Sequence, residues 1–223
     1  MSQSSGPLAG ARVRAPFFRM PNPGLSTVTP IVNVGFRSTN IWVVGAGTTR
    51  LLVDLGWVGM MGALQHELRR KDIPLDAIRA GFATHYHIDH AGCAEDLKRH
   101  GMALWVFEEQ VPSVDGLSRW VKPGEPFTPI RSEGNVLLRC VYSRRALSDL
   151  GIAGEVIPTP GHSPCSVSLV LNSGACFTGD LTPEAMVGSE DRTVVRASWD
   201  RLRALGARTV YPGHAAPYPM PPA

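Results

Sequence analysis

Within six residues the chain places three histidines and an aspartate, in the run Thr84-His85-Tyr86-His87-Ile88-Asp89-His90. In an extended segment, residues two apart point to the same side. His85 and His87 can therefore grip one metal ion together, and Asp89 and His90 fall on the turn that follows, where the chain can curl toward a second ion. Three later segments end apolar runs in the same way: Thr159-Pro160-Gly161-His162-Ser163, Thr178-Gly179-Asp180 and Tyr211-Pro212-Gly213-His214. Each sets a glycine before the His or Asp, and glycine permits the backbone turn that aims the next side chain into a cleft. Any fold this chain adopts must bring those loops together if they act as one. Five histidines and two aspartates exceed the four ligands of one tetrahedral zinc. They suit two ions that share a carboxylate. Nitrogen and oxygen donors without a thiolate fit zinc first, with iron and manganese also open. His66 and His100 read as helix-surface residues without a role.

Periodicity supplies the frame. Asn40 to Val44 and Arg50 to Leu55 flank the turn 45–49 and read as a β-hairpin. Met60 to Lys71 has helical apolar spacing. Strands are predicted over Ile78 to Thr84, Ala103 to Phe107, Asn135 to Tyr142, Glu155 to Thr159, Ser166 to Leu171, Ala175 to Thr178 and Arg208 to Tyr211. Helices are predicted over Ala94 to His100 and Arg192 to Leu205, the second capped by Asp191 or Ser189. Glu108 to Pro129 lacks clear periodicity and reads as a loop or lid. Residues 1–24, rich in Ser, Gly and Pro, read as an irregular lead-in to one domain over 25–223.

Composition excludes several classes. With 43% hydrophobic and 18% charged residues among 223, the chain is neither disordered nor fibrous. Its net charge of +3 is too small to argue for nucleic acid, although only Lys71, Lys98 and Lys122 of its 22 basic residues are lysine. Met1 to Ala15 holds no apolar core of the kind an export signal needs. The charge-free stretches Met20 to Phe36 and Val156 to Gly179 are broken by Pro and Gly, so no membrane span is expected. Four cysteines without a CxxC pair suggest reduced thiols and a cytoplasmic setting. Cys93 and Cys165 read as small buried fillers.

The set THYHIDH, TPGHS, TGD and YPGH resembles the metallo-β-lactamase superfamily, and is closer to its glyoxalase II and acyl-homoserine lactonase branch than to its antibiotic-destroying one. The resemblance runs from about Ile31 to His214. It implies an α/β fold, the αβ/βα four-layer sandwich, with the metals at one edge. It implies a first metal on His85, His87 and His162, a second on Asp89, His90 and His214, and Asp180 bridging both. It gives Asp54, in Val53-Asp54-Leu55-Gly56, the task of holding a ligand histidine through a hydrogen bond. The activity implied is hydrolysis of a thioester, lactone or other ester by a hydroxide bridging two divalent ions, with Asp89 carrying a proton to the leaving group. Thioester and lactone are evenly balanced. Exported β-lactamases lack Asp at the bridging position, and the helical glutathione-binding domain of full-length glyoxalase II would not fit in the nine residues after His214.

Substrate contacts are expected from Trp57, Met60 and Met61, from Trp120 and Phe127 in the lid, and from Tyr142, Arg144 and Arg145, which precede a short helix. The expected partner is a small-molecule ester, with no nucleic acid and no membrane, and with monomer and homodimer both open. Two alternatives stand beside this one: a nucleic-acid-processing enzyme of the same superfamily, and a non-catalytic metal-binding sensor.

Overall fold

The computed structural model describes residues 29–222; the expected lead-in over residues 1–24 lies outside them. Among the described residues eleven strands form two sheets. The first contains β1 (Ile31–Asn33), β2 (Trp42–Val44), β3 (Arg50–Val53), β4 (Ile78–Phe82), β5 (Ala103–Phe107) and β6 (Val136–Leu138), in that order across the sheet. β1 to β3 are antiparallel neighbours, and β3 to β6 run parallel. The second sheet has the order β11-β10-β9-β8-β7, built from β7 (Gly154–Pro158), β8 (Val167–Leu171), β9 (Ala175–Gly179), β10 (Thr209–Pro212) and β11 (Tyr218–Pro219). The helices are α1 (Met61–Arg70), α2 (Ala94–Arg99), α3 (Val111–Val114), α4 (Ser143–Asp149) and α5 (Arg192–Ala204).

The strand period of two sorts side chains into layers. On β2, β3 and β5, Val43, Leu52, Leu104 and Val106 face α1 and α2, where Leu64, Leu68, Ala94 and Leu97 are buried. Their neighbours Trp42, Leu51, Val53, Trp105 and Phe107 turn the other way and meet Val167, Leu169, Leu171 and Phe177 of the second sheet. Val170, Cys176 and Val210 then face Val195, Trp199 and Leu202 of α5. Helix, sheet, sheet and helix thus stack with an apolar seam at each contact, the αβ/βα four-layer sandwich. α5 starts where Asp191 caps the backbone N–H groups of Thr193 and Val194.

Two segments depart from expectation. The strand predicted over Asn135 to Tyr142 is only three residues long and passes into a 3₁₀ turn at Cys140–Tyr142. β6 pairs with β5 alone, so nothing on its outer side extends it. The segment 108–129 contains α3 and a 3₁₀ turn at Asp115–Trp120. Buried Gln110 ties it to the end of β4, donating to the carbonyl of Ala83 at 2.8 Å. β1 and β11 were not foreseen. Among the described residues no helix is long and apolar enough to cross a membrane.

Candidate metal centre

β3 and β4 are parallel, as are β9 and β10, and β7 shares the direction of β9 through two antiparallel steps. The loops that leave β4, β7, β9 and β10 therefore open at one edge of the sandwich, and the seven predicted side chains meet there. His85, His87 and His162 form one group and Asp89, His90 and His214 another, the donor atoms of each lying within 4.8 Å of one another. Asp180 lies between them. Its Oδ2 is 3.7 Å from His162 Nε2 and 3.9 Å from His85 Nε2 on one side. On the other side Oδ1 is 3.3 Å from His90 Nε2, and Oδ2 is 3.2 Å from His214 Nε2.

Glycine is required at two of these loops. At Gly213 a Cβ would run into the Asp180 carboxylate and come within 2.7 Å of His90 Cε1. Gly179 has φ +53°, and a Cβ there would collide with Thr84 Oγ1.

The rings are held from behind. Asp54 Oδ2 is 3.0 Å from His90 Nδ1. Asp54 Oδ1 accepts from the Thr84 backbone N–H at 2.7 Å and from the Thr84 hydroxyl at 2.9 Å. With its proton committed to Asp54, that hydroxyl accepts from His85 Nδ1 at 3.1 Å. His214 Nδ1 donates to the carbonyl of Ser38 at 2.7 Å. On three histidines the outer nitrogen thus has its own hydrogen-bond partner, which leaves the inner nitrogen to face a metal.

The inner nitrogens crowd together: His85 Nε2 to His87 Nδ1 at 3.0 Å, His162 Nε2 to His87 Nδ1 at 3.2 Å, and His90 Nε2 to His214 Nε2 at 3.3 Å. Nitrogens this close share a few protons at most, and a cation placed between them could replace those protons. This donor set fits divalent metal ions.

The charges interlock. Burial pushes His85 well below its ordinary value, and neighbouring His90 adds to this. Burial, then His162, lowers His87 in the same way. Burial alone would raise Asp180, but hydrogen bonds from His214 and His90 hold it well below the carboxylate range. Asp89 is also lowered: burial opposes the shift, and the hydrogen bond with His214 and the charge of His90 outweigh it. Against its burial, His90 is pushed up to about 10 by Asp54 and Asp180. His214 rises to about 11 through hydrogen bonds to Asp180 and Asp89.

A cavity of about 370 Å³ adjoins the cluster, lined by Trp57, His87, Ile88, Asp89 and Trp120. Of the predicted substrate residues, Trp57 and Trp120 lie on it. Tyr142 and Arg144 do not. The Tyr142 ring is exposed and has the Arg139 guanidinium 5.9 Å from its centroid. Arg144 is turned away into an ion pair with Glu155 and a hydrogen bond to Asn172, so packing of α4 on β7 gives it a structural partner. His66 and His100 are exposed, and Cys93 and Cys165 are buried.

Sequence reasoning missed Ser38, Thr39 and Asn40. Thr39 Oγ1 donates to Asp89 Oδ2 at 3.1 Å. The Asn40 amide donates to the carbonyls of Pro212 and Ala215 at 2.8 and 2.7 Å, and so fixes the loop of His214. No spacing signal marks Ser38 and Asn40, which act across more than 170 positions of chain.

Comparison with known proteins adds three findings. The family model of the metallo-beta-lactamase superfamily matches residues 34–214. Curated relatives include an atrochrysone carboxyl ACP thioesterase of Aspergillus fumigatus, 29% identical over 81% of this chain and 51% of its own length. They also include the beta-lactamase-like protein 2 homolog of Drosophila melanogaster, 25% identical over 80% of this chain and 59% of its own. The chain spans about half the length of the curated relatives it matches. Among solved structures, a metallo-beta-lactamase family protein of Thermus thermophilus superposes with a TM-score of 0.65 at 21% identity, over 86% of this chain and 75% of that one.

Proposed function

The chain belongs to the metallo-β-lactamase superfamily, and on that premise we propose that it is a dinuclear metal-dependent hydrolase acting on a thioester. One observation carries the proposal: His85, His87, Asp89, His90, His162 and His214, six side chains from three loops, converge on Asp180 from a fourth. His85, His87 and His162 would hold one ion, Asp89, His90 and His214 the other, and Asp180 both. Zinc suits this donor set, as do manganese and iron. Ions held there supply polarisation of a carbonyl and a water made acidic enough to attack near neutral pH.

The chain's own residues do the rest. Asp54 fixes His90 directly and His85 through Thr84, so one ring of each group is oriented by the same carboxylate. Asp89 faces the cavity, remains a carboxylate, and can take up a proton and pass it to the leaving sulfur. Trp57 and Trp120 flank the substrate. The choice of thioester over lactone is supported by the relatives named as acyl-carrier thioesterases.

The test is metal content per chain, measured alongside a chelator-reversible assay on a thioester and a lactone. About two ions per chain, with thioester turnover lost to chelator and restored by metal, is the expected outcome. Fewer than one ion, not raised by added metal, removes the dinuclear assignment. A loaded protein that turns over neither substrate removes the hydrolase.

A further inference from the structure

We propose that the cavity beside His87 is an acyl-binding cleft that selects a flat aromatic group, with Trp57 and Trp120 as its specificity-determining walls. The identification of its occupant as an acyl group rests on the thioesterase proposal; the preference for a flat ring does not.

The two walls are anchored independently. The Trp57 carbonyl accepts from the Cys93 thiol at 3.0 Å and from Met60 N–H at 3.1 Å. On either side of Trp57, Val58 N–H donates to Ile88 O at 3.0 Å, and Gly92 N–H donates to Gly56 O at 2.7 Å. This loop is therefore laced to the loop that bears His87, Asp89 and His90. The Arg37 guanidinium lies over the Trp57 ring, 5.4 Å from its centroid. Trp120 arrives from the separate 108–129 segment, with its ring 6.2 Å from that of His87 at 64°.

Trp120 is 64% exposed, an unusual position for the largest apolar side chain when it sits beside a cluster of candidate ligands. Aromatic rings prefer edge-to-face or offset contact at about 4.5–7 Å, and such pairs add roughly 2- to 10-fold in affinity beyond the area they bury. A cavity of about 370 Å³ is at the lower end of those that hold small organic ligands, so it suits a compact ring system. Two indoles and an imidazole around that volume favour a planar group over a saturated one of equal size.

The probes are 2-naphthoate and its saturated counterpart decalin-2-carboxylate, titrated calorimetrically into the metal-free chain. Both carry the same carboxylate, so its attraction to the histidines cancels in the ratio. The expected result is tighter binding of naphthoate by about tenfold, a ratio that falls below about threefold in Trp120→Ala and recovers in Trp120→Phe. A wild-type ratio near one, or one unchanged in Trp120→Ala, overturns the proposal. The same pair as N-acetylcysteamine thioesters, given to the metal-loaded chain, separates the two proposals. Selective binding without cleavage of either removes the thioesterase and leaves the cleft, whereas cleavage of both at equal kcat/KM removes the cleft and leaves the thioesterase.

Discussion

Replacing Thr84 by serine and by alanine isolates one hydroxyl group. Both variants lose the same methyl, so the packing change beside Gly179 cancels in the comparison. Serine keeps the link from Asp54 Oδ1 to His85 Nδ1, with legs of 2.9 and 3.1 Å in the native chain; alanine removes it. Thr84 and His85 are 0% and 1% exposed, so no solvent replaces the lost acceptor. A buried donor left unpaired costs about 1–3 kcal/mol. His85 escapes that cost only by moving its proton to the inner nitrogen, which removes the lone pair a metal needs. At about 1.4 kcal/mol per tenfold, alanine binds metal at the His85, His87 and His162 group roughly 5- to 150-fold more weakly than serine. Asp89, His90 and His214 are spared, because Asp54 Oδ2 reaches His90 without Thr84. Competition against a chromophoric chelator, resolving two binding events, measures both. Equal affinities for the two variants, or equal weakening at both groups, would refute the reasoning.

Gly213→Ala places a methyl against Asp180 and His90; metal content and turnover should fall at least tenfold while far-UV circular dichroism remains native. Metal-dependent stabilisation should grow with pH. Free of metal, His90 and His214 are raised from 6.5 to about 10 and about 11, so their protonation stabilises the fold fully below about 6.5 and is lost as pH climbs toward those values, whereas bound metal must displace those protons and gains affinity as pH rises. The gap in Tm between loaded and chelated protein should widen from about pH 6 to about pH 9, and a constant or shrinking gap would contradict this. Burial pushes the thiols of Cys93, Cys140 and Cys176 up to about 12, with Glu109 adding to the shift at Cys140, so an aromatic disulfide reagent at about pH 8 should label none of the three until denaturant is added, as peptide mapping would show.

The cluster of candidate ligands was legible because its residues are gathered in short motifs just past strand ends. His85 and His87 lie in the bend that follows β4, which ends at Phe82 rather than Thr84, and Gly179 and Gly213 mark turns that only glycine tolerates at those contacts. What reaches the cluster from elsewhere was not legible. Ser38 and Asn40 act on the His214 loop through a hairpin turn far away in sequence, and any short polar residue there would have read the same. Arg144 showed the reverse error. Its charge suggested an anion site, but its partner Glu155 is set by how α4 packs on β7, which periodicity does not specify. β6 was overextended for a related reason: an apolar run says nothing about whether a second neighbour exists to pair with it.

Each sheet is wound entirely from one contiguous half of the chain, β1 to β6 within 31–138 and β7 to β11 within 154–219. Strand neighbours are mostly sequence neighbours, so either sheet can assemble with short loop closures. During synthesis the order is one-way. A nascent chain that has emerged only to about residue 150 has its first sheet complete, yet Trp42, Val53, Phe82, Trp105 and Phe107 still lack the partners that Val167 to Phe177 will bring. That interval exposes a broad sticky face to whatever surrounds the ribosome. Slow translation of the second half of the chain would prolong it, and expression yield should be most sensitive to codon choice there.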